Sequence, residues 1–276
     1  MQHHDTIRVG GKLMDLSSPV VMGILNVTPD SFYAGSRKQT DDAIAHRAEE
    51  VIEQGGVMID IGACSTRPGG EQPSQEEEMS RLRQGLTVVR QVCPDAVLSV
   101  DTYRPEVARM SVEEFGVAII NDVTGVIEPD AEGVSAMFRM VARLRVPYVL
   151  TSIQPSMREM LLAFARDVAQ LNALGVADVI LDPGFGFGKT LEQNYEVLAH
   201  MDELRVLGLP VLAGLSRKSM IYRALGITPD EALNGTTALD MMALRNGATI
   251  LRVHDVREAV ECCRLWRMLE QSEQSE

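Results

Sequence analysis

The run Asp182-Pro183-Gly184-Phe185-Gly186-Phe187-Gly188-Lys189 places a carboxylate where the apolar run Val179-Ile180-Leu181 ends, followed by three glycines and a lysine. Glycines let backbone come close to a ligand, and in parallel α/β proteins ligands bind at the carboxyl ends of strands. Asp182 is therefore expected to point into a binding site that Phe185 and Phe187 wall. The same signature recurs. Asn26 follows the apolar run 20–25, Thr66-Arg67-Pro68 follow 57–61, and Asp101-Thr102 follow 96–100. Asn121-Asp122 follow 118–120, Thr151-Ser152 follow 147–150, and Ser216-Arg217-Lys218-Ser219 follow 211–215. Arg252, His254 and Asp255 lie at the end of 249–253.

These groups fall into two chemical sets. Arg67, Lys218, Arg252 and His254 are cationic or can become so, in a chain of formal charge −13, and would focus a phosphate or diphosphate. Asn26 and Thr66 add neutral hydrogen-bonding groups, and Asn26 can offer its oxygen to Mg²⁺. Asp101, Asn121 and Asp182 sit among apolar neighbours and need donors; the N–H edge of an aminopyrimidinone supplies two at once. Each residue also has a plainer reading. Asp101 could be a helix cap, Asn121-Asp122 a turn, His254-Asp255 a cap pair, and Lys218 a surface or Schiff-base lysine. Arg217 reads as one half of a structural ion pair, and Cys64 as an inert thiol.

The elements that must position these groups alternate. Eight short apolar runs are separated by amphipathic stretches at 41–54, 75–91, 104–115, 130–144, 156–174, 191–207, 229–246 and 255–269. Strands apolar on both parities are strands covered on both faces. The pattern predicts a single (β/α)8 TIM barrel, with an open doubly wound sheet as the alternative. Weak alternation around Gly10-Gly11 predicts a short N-terminal hairpin. Residues 1–18 thus read as hairpin or extension, 19–269 as barrel, and 270–276 as a polar tail. Glu76-Glu77-Glu78 reads as a solvated first helical turn without function.

Composition narrows the rest. The chain has 276 residues, 45% of them hydrophobic, enough for one large core. The acidic balance argues against nucleic acid and anionic membrane surfaces. Four cysteines without C-x-x-C spacing read as reduced thiols. With no membrane-length apolar run and no signal-like start, a cytoplasmic location is expected.

The stretches GILNVTPDSF (23–32), DIGACSTRPGG (60–70), SVDTYRPEVA (99–108), INDVTG (120–125), LDPGFGFGKTLEQN (181–194), GLSRKSMI (214–221) and RVHDV (252–256) closely resemble the dihydropteroate synthase family, in its order and spacing. The resemblance implies a (β/α)8 barrel that joins 6-hydroxymethyl-7,8-dihydropterin diphosphate to p-aminobenzoate, giving 7,8-dihydropteroate and pyrophosphate. It assigns Asp101, Asn121, Asp182 and Lys218 to the pterin, Asn26 to Mg²⁺ and diphosphate, and Thr66, Arg252 and His254 to the diphosphate. Asp101, Asp182, Lys218 and Arg252 are the expected catalytic residues. Thr66, Arg67, Pro68, Phe187 and Ser219 match the p-aminobenzoate region, where sulfonamides also bind. The resemblance further implies a homodimer. Two other pterin-barrel readings compete with synthesis: a methyltetrahydrofolate–corrinoid methyltransferase and a catalytically silent binding barrel. One departure falls at a strand end: where the family commonly reads Met-His-Met, this chain has Thr151-Ser152-Ile153.

Overall fold

Gly10 and Gly11, at φ +56° and +81°, form the two-residue turn that joins β1 (Thr6–Val9) to antiparallel β2 (Lys12–Asp15). Positive φ at both central positions matches the twist of a tight hairpin and favours glycine. The computed structural model describes residues 6–28, 37–64, 73–125, 129, 131 and 133–273.

Eight parallel strands follow: β3 (Val20–Asn26), β4 (Met58–Gly62), β5 (Val97–Asp101), β6 (Ile119–Asp122), β7 (Tyr148–Thr151), β8 (Val179–Asp182), β9 (Leu212–Ala213) and β10 (Ile250–Val253). They pair in the order β8-β7-β6-β5-β4-β3-β10-β9. The two ends meet through a parallel bridge, Leu181 to Val211, with Leu181 N–H donating to Pro210 O at 2.8 Å. The sheet is therefore a nearly closed barrel, and the open doubly wound alternative is excluded.

Side chains alternate across a strand with period two, and that alternation builds the interior. Met22, Met58, Ile119, Val149, Ile180, Leu212 and Ile250 point inward as an apolar plug, capped from below by Ile7, Val9 and Leu16 of the hairpin segment. Their neighbours of opposite parity, among them Ile59, Leu98, Ile120, Leu150, Leu181 and Leu251, face the helices. Two residues beyond the plug, the same inward parity carries Asp60, Ser99, Asn121, Thr151, Asp182 and Arg252. Asn26, Asp101, Thr151 and Asp182 thus close their strands rather than follow them, and Asn121 lies one residue inside the end of its own. An apolar run ends where the inward face turns polar, one residue or more before the ladder ends.

Nine α-helices are present among the described residues: α1 (Arg37–Glu53), α2 (Gln75–Val92), α3 (Pro105–Phe115), α4 (Ala136–Leu144), α5 (Met157–Ala173), α6 (Leu191–Ala199), α7 (Ser219–Leu225), α8 (Leu233–Arg245) and α9 (Val256–Glu273). Eight were expected. The short α7 escaped periodicity because Gly226, at φ +66°, stops it after two turns. The stretch 191–207 ends in a 3₁₀ segment, and α4 begins only behind its Ser135 cap. Helix α9 continues past Leu269 to Glu273, with Ser272 Oγ donating to Leu269 O.

The solvated-turn expectation fails at its third member. Glu76 and Glu77 are exposed behind the Ser74 cap, but Glu78 is fully buried. It pairs with Arg104 and accepts the Thr102 hydroxyl at 2.7 Å, which ties the β5–α3 connection onto α2.

Asp240 occupies a core position of α8, in line with buried Thr236, Ala243 and Leu244. It is 1% exposed, and neither carboxylate oxygen has a partner among the described residues. Burial, with Asp255 nearby, pushes its carboxyl up to about 7; the buried Cys262 and Cys263 thiols of α9 are raised in part by it. A carboxyl that holds its proton more tightly in the fold than in the unfolded chain costs stability as pH rises from about 4 through 7. Asp240→Asn is therefore expected to raise the melting temperature by about 5 °C or more at pH 8, with the gain fading by pH 5. Melting curves shifted equally at both pH values would contradict this.

Candidate functional site

The polar layer above the plug is organised by Asp60, which is 0% exposed. One oxygen accepts Ser99 Oγ–H at 2.5 Å; the other accepts Asn121 Nδ2 at 2.9 Å and Arg252 Nε at 2.6 Å. Arg252 Nη2 reaches on to Asp101 Oδ2 at 3.1 Å. Residues from three other strands are thus fixed by one buried carboxylate on β4. Its donation to Asp60 fixes the Asn121 amide, so that Oδ1 is left buried without a partner among the described residues. Buried oxygens without donors are costly, so this one is set up to receive a donor from a ligand.

Asp182 is fixed in the same manner. Its Oδ1 accepts the Gly184 N–H at 2.8 Å, which directs the other oxygen elsewhere. Gly184 sits at φ +64°, and any side chain there would collide with the Ser152 carbonyl. Burial raises the Asp182 carboxyl, with Lys218, the Gly184 N–H and Arg252 opposing. Burial raises Asp101 to about 7, against the pull of Arg252 and helped by Asp60 and Asp122. Asp101 is not a helix cap; Arg104 holds that position on α3. The register aligns Asn26, Gly62, Asp101 and Asn121 across β3–β6. A Cβ on Gly62 would lie 3.4 Å from Asn26 Oδ1 and 3.5 Å from Asp101 Cβ, so glycine keeps this row open.

Lys218 closes the other side. Its Nζ donates to Phe185 O and lies 4.5 Å from the centroid of the Phe187 ring, a cation–π contact. Burial pulls the amine down to about 8, opposed by Asp182. Ser219 opens α7 beside it, half-buried. His254 Nδ1 is 3.1 Å from Ser216 Oγ. Dense surroundings and the Arg252 charge lower the imidazole, which is neutral at physiological pH although the residue keeps an exposed edge. Arg217 is the expected structural partner, bound to both oxygens of Asp255 at 2.8 Å. Of the turn pair, only Asp122 behaves as one; it accepts Thr124 N–H and the Tyr148 hydroxyl while Asn121 faces inward. Burial and Glu78 push the Cys64 thiol up to about 12, which keeps it unreactive. Thr66, Arg67 and Pro68 lie outside the described residues.

Three functional side chains were not singled out from the sequence. Asp60 and Ser99 lie inside apolar strands, and only their shared parity with Asp101 and Asn121 marked them. Lys189 lies just past the glycines. Its Nζ donates to Ser152 O at 3.0 Å and Gly184 O at 3.1 Å, stapling the loop after β8 onto the end of β7.

A barrel whose mouth presents oriented acceptors beside cations defines a class of small-molecule enzyme, and the family model described as "Pterin binding enzyme" matches residues 22–254. The dihydropteroate synthase of Escherichia coli (strain K12) is 40% identical over 273 residues, covering 92% of this chain and 93% of that one. That of Bacillus subtilis (strain 168) is 38% identical over 256 residues, covering 89% and 87%. The structure of Xanthomonas albilineans dihydropteroate synthase with 4-aminobenzoic acid superposes with a TM-score of 0.87 at 36% identity, covering 96% and 98%. The chain belongs to the pterin-binding enzyme family and, within it, to the dihydropteroate synthases, transferases of folate biosynthesis.

Proposed function

We propose that this chain joins 6-hydroxymethyl-7,8-dihydropterin diphosphate to p-aminobenzoate, releasing pyrophosphate and 7,8-dihydropteroate. The observation that carries the reading is the pair of oriented acceptors: Asn121 Oδ1, set by Asp60, and the free oxygen of Asp182, set by Gly184 N–H. A pterin edge offers adjacent N–H donors to such a pair. Structures of relatives with 4-aminobenzoic acid and with 7,8-dihydropteroate agree with it.

In this reading Asp101, Asn121, Asp182 and Lys218 hold the ring. Arg252, His254 and Thr66 receive the diphosphate, and Thr66, Arg67, Pro68, Phe187 and Ser219 shape the arylamine pocket. The bond that breaks joins the methylene carbon to a diphosphate oxygen. Arg252 and Lys218 stabilise the charge that develops on the leaving group, while ionised Asp101 favours positive charge at the methylene. The arylamine attacks as a neutral nucleophile and loses its proton afterwards, so no strong base is needed beforehand.

No group of three or more His, Cys, Asp or Glu among the described residues can hold a metal ion. A site with Asn26 as one neutral oxygen fits Mg²⁺ that keeps waters and binds mainly through substrate phosphates. Bound there, the ion would neutralise leaving-group charge. We also place homodimer formation, sulfonamide binding and a cytoplasmic location in this reading. Leu225 at the end of α7, Met242 on α8, and Leu265 and Met268 on α9 expose apolar surface on helices packed in sequence, which suits a second copy.

Pyrophosphate release is expected only with both substrates and Mg²⁺ together. Methyl transfer to a corrinoid, or pterin binding without release, would replace this reading with one of the two competing barrels.

A further inference from the structure

Thr151 ends β7 and stands directly opposite Asp182 in the parallel ladder. It has the same inward parity: Val149 lies in the apolar plug, Leu150 faces the helices, and Thr151 returns to the lumen. The residue is 3% exposed, and its hydroxyl oxygen has no hydrogen-bond partner among the described residues. A threonine this deep ordinarily bonds to a carbonyl or another side chain.

Its methyl group explains why the hydroxyl does not turn back to the backbone. Thr151 Cγ2 lies 3.0 Å from where a Cβ on Gly184 would stand, so the methyl packs against the loop after β8. A β-branched side chain has few χ1 wells, and seating the methyl there commits the hydroxyl to the remaining directions. The neighbouring polar groups have other partners, save the second Asp182 oxygen, which does not receive the Thr151 hydroxyl. Asp182 receives Gly184 N–H, the Ser152 carbonyl receives Lys189, and Lys218 donates to Phe185 O.

Asp182 and Asn121 offer the lumen acceptors only. A heterocycle whose N–H groups meet those two also carries ring nitrogens or a carbonyl that need a donor. We propose that the Thr151 hydroxyl donates to such an acceptor on the bound ring and so determines which heterocycles this pocket takes. The proposal rests on the pterin-binding reading above. It assigns a function to Thr151, the first residue of the Thr151-Ser152-Ile153 strand end singled out in the sequence.

The test compares Thr151→Val, which keeps the shape and removes the hydroxyl, with Thr151→Ser, which keeps the hydroxyl. Calorimetric titration with 6-hydroxymethylpterin, which lacks the diphosphate, reads the ring contact, and titration with Mg²⁺-pyrophosphate serves as control. Thr151→Val is expected to bind the pterin about tenfold more weakly and pyrophosphate within about twofold of the parent. Its melting temperature should be unchanged or higher, because it removes a buried hydroxyl that the fold leaves unpaired. Thr151→Ser should stay within about threefold for the pterin. Parent-like pterin binding by Thr151→Val, or equal losses in both variants, would overturn the proposal while leaving the pterin reading intact. A lower melting temperature for Thr151→Val would also overturn it, by showing that the hydroxyl serves the fold. Failure of the parent chain itself to bind the pterin would overturn both.

Discussion

Arg252→Met is expected to lower kcat/KM by about a thousandfold or more and the melting temperature by about 10 °C. Both effects come from one geometry. The guanidinium bonds Asp60 at 2.6 Å and Asp101 at 3.1 Å, and it retains only 15% of its side-chain exposure. Removing one partner of a buried ion pair typically costs about 3–5 kcal/mol, because the remaining charge stays buried without compensation. Asp101 already has its carboxyl raised to about 7 with Arg252 beside it; without that charge it rises further. An acid raised in the fold costs stability as pH climbs above its unfolded value, so the loss should be larger at pH 8 than at pH 5.5. Catalysis suffers separately, since the diphosphate loses its guanidinium. Pyrophosphate affinity should fall more than affinity for a pterin without phosphate. The pterin should also weaken, because Asp60 then loses the partner that shares its oxygen with Asn121. The double variant Asp60→Asn/Arg252→Met separates the two causes. It should recover much of the melting temperature and none of the turnover. If turnover recovers with stability, Arg252 is structural only; equal losses for both ligands would point the same way.

How the site was legible follows from where polarity interrupts an apolar run. Asp182, Asn121 and Asp101 were visible because each ends such a run, and the barrel followed from eight of these runs alternating with helical stretches. Asp60 was not visible, because Ile59 and Ile61 flank it and the whole segment is buried. Only the knowledge that Met58 and Gly62 face the lumen places Asp60 there as well, and that knowledge needs the register. Glu78 misled for the opposite reason. Three successive glutamates in a first helical turn read as one solvated group, but a turn of helix spreads them over different faces and the third meets Arg104. Helix α7 is too short to show a period. Lys189 could not be separated from a surface lysine, since its partners are backbone carbonyls, to which sequence gives no index.

Asp182→Asn is the sharpest test of the pterin reading, because the fold dictates how the new amide must lie. Gly184 N–H donates to Oδ1 at 2.8 Å. An asparagine can keep that bond only with its oxygen toward Gly184, so its NH₂ replaces the free carboxylate oxygen. A donor then faces the ring donors that the carboxylate would accept. Leaving such buried groups mispaired costs about 1–3 kcal/mol, and losing the charge on a hydrogen-bonded acceptor adds to that. Affinity for 6-hydroxymethylpterin should drop between about tenfold and a few hundredfold. Stability should not fall with it. Burial already raises the Asp182 carboxyl, so its ionised form costs stability as pH rises above the unfolded value, and a neutral amide is neutral or stabilising at pH 8. Lys218 provides a second readout. Burial holds its amine near 8, with Asp182 working against the depression. Without that carboxylate the amine falls further, and the alkaline side of the activity profile should move to lower pH. Calorimetry on parent and variant at pH 7 and 8, with melting curves alongside, decides the matter. Unchanged pterin affinity in a variant as stable as the parent would remove Asp182 from the ring-binding site.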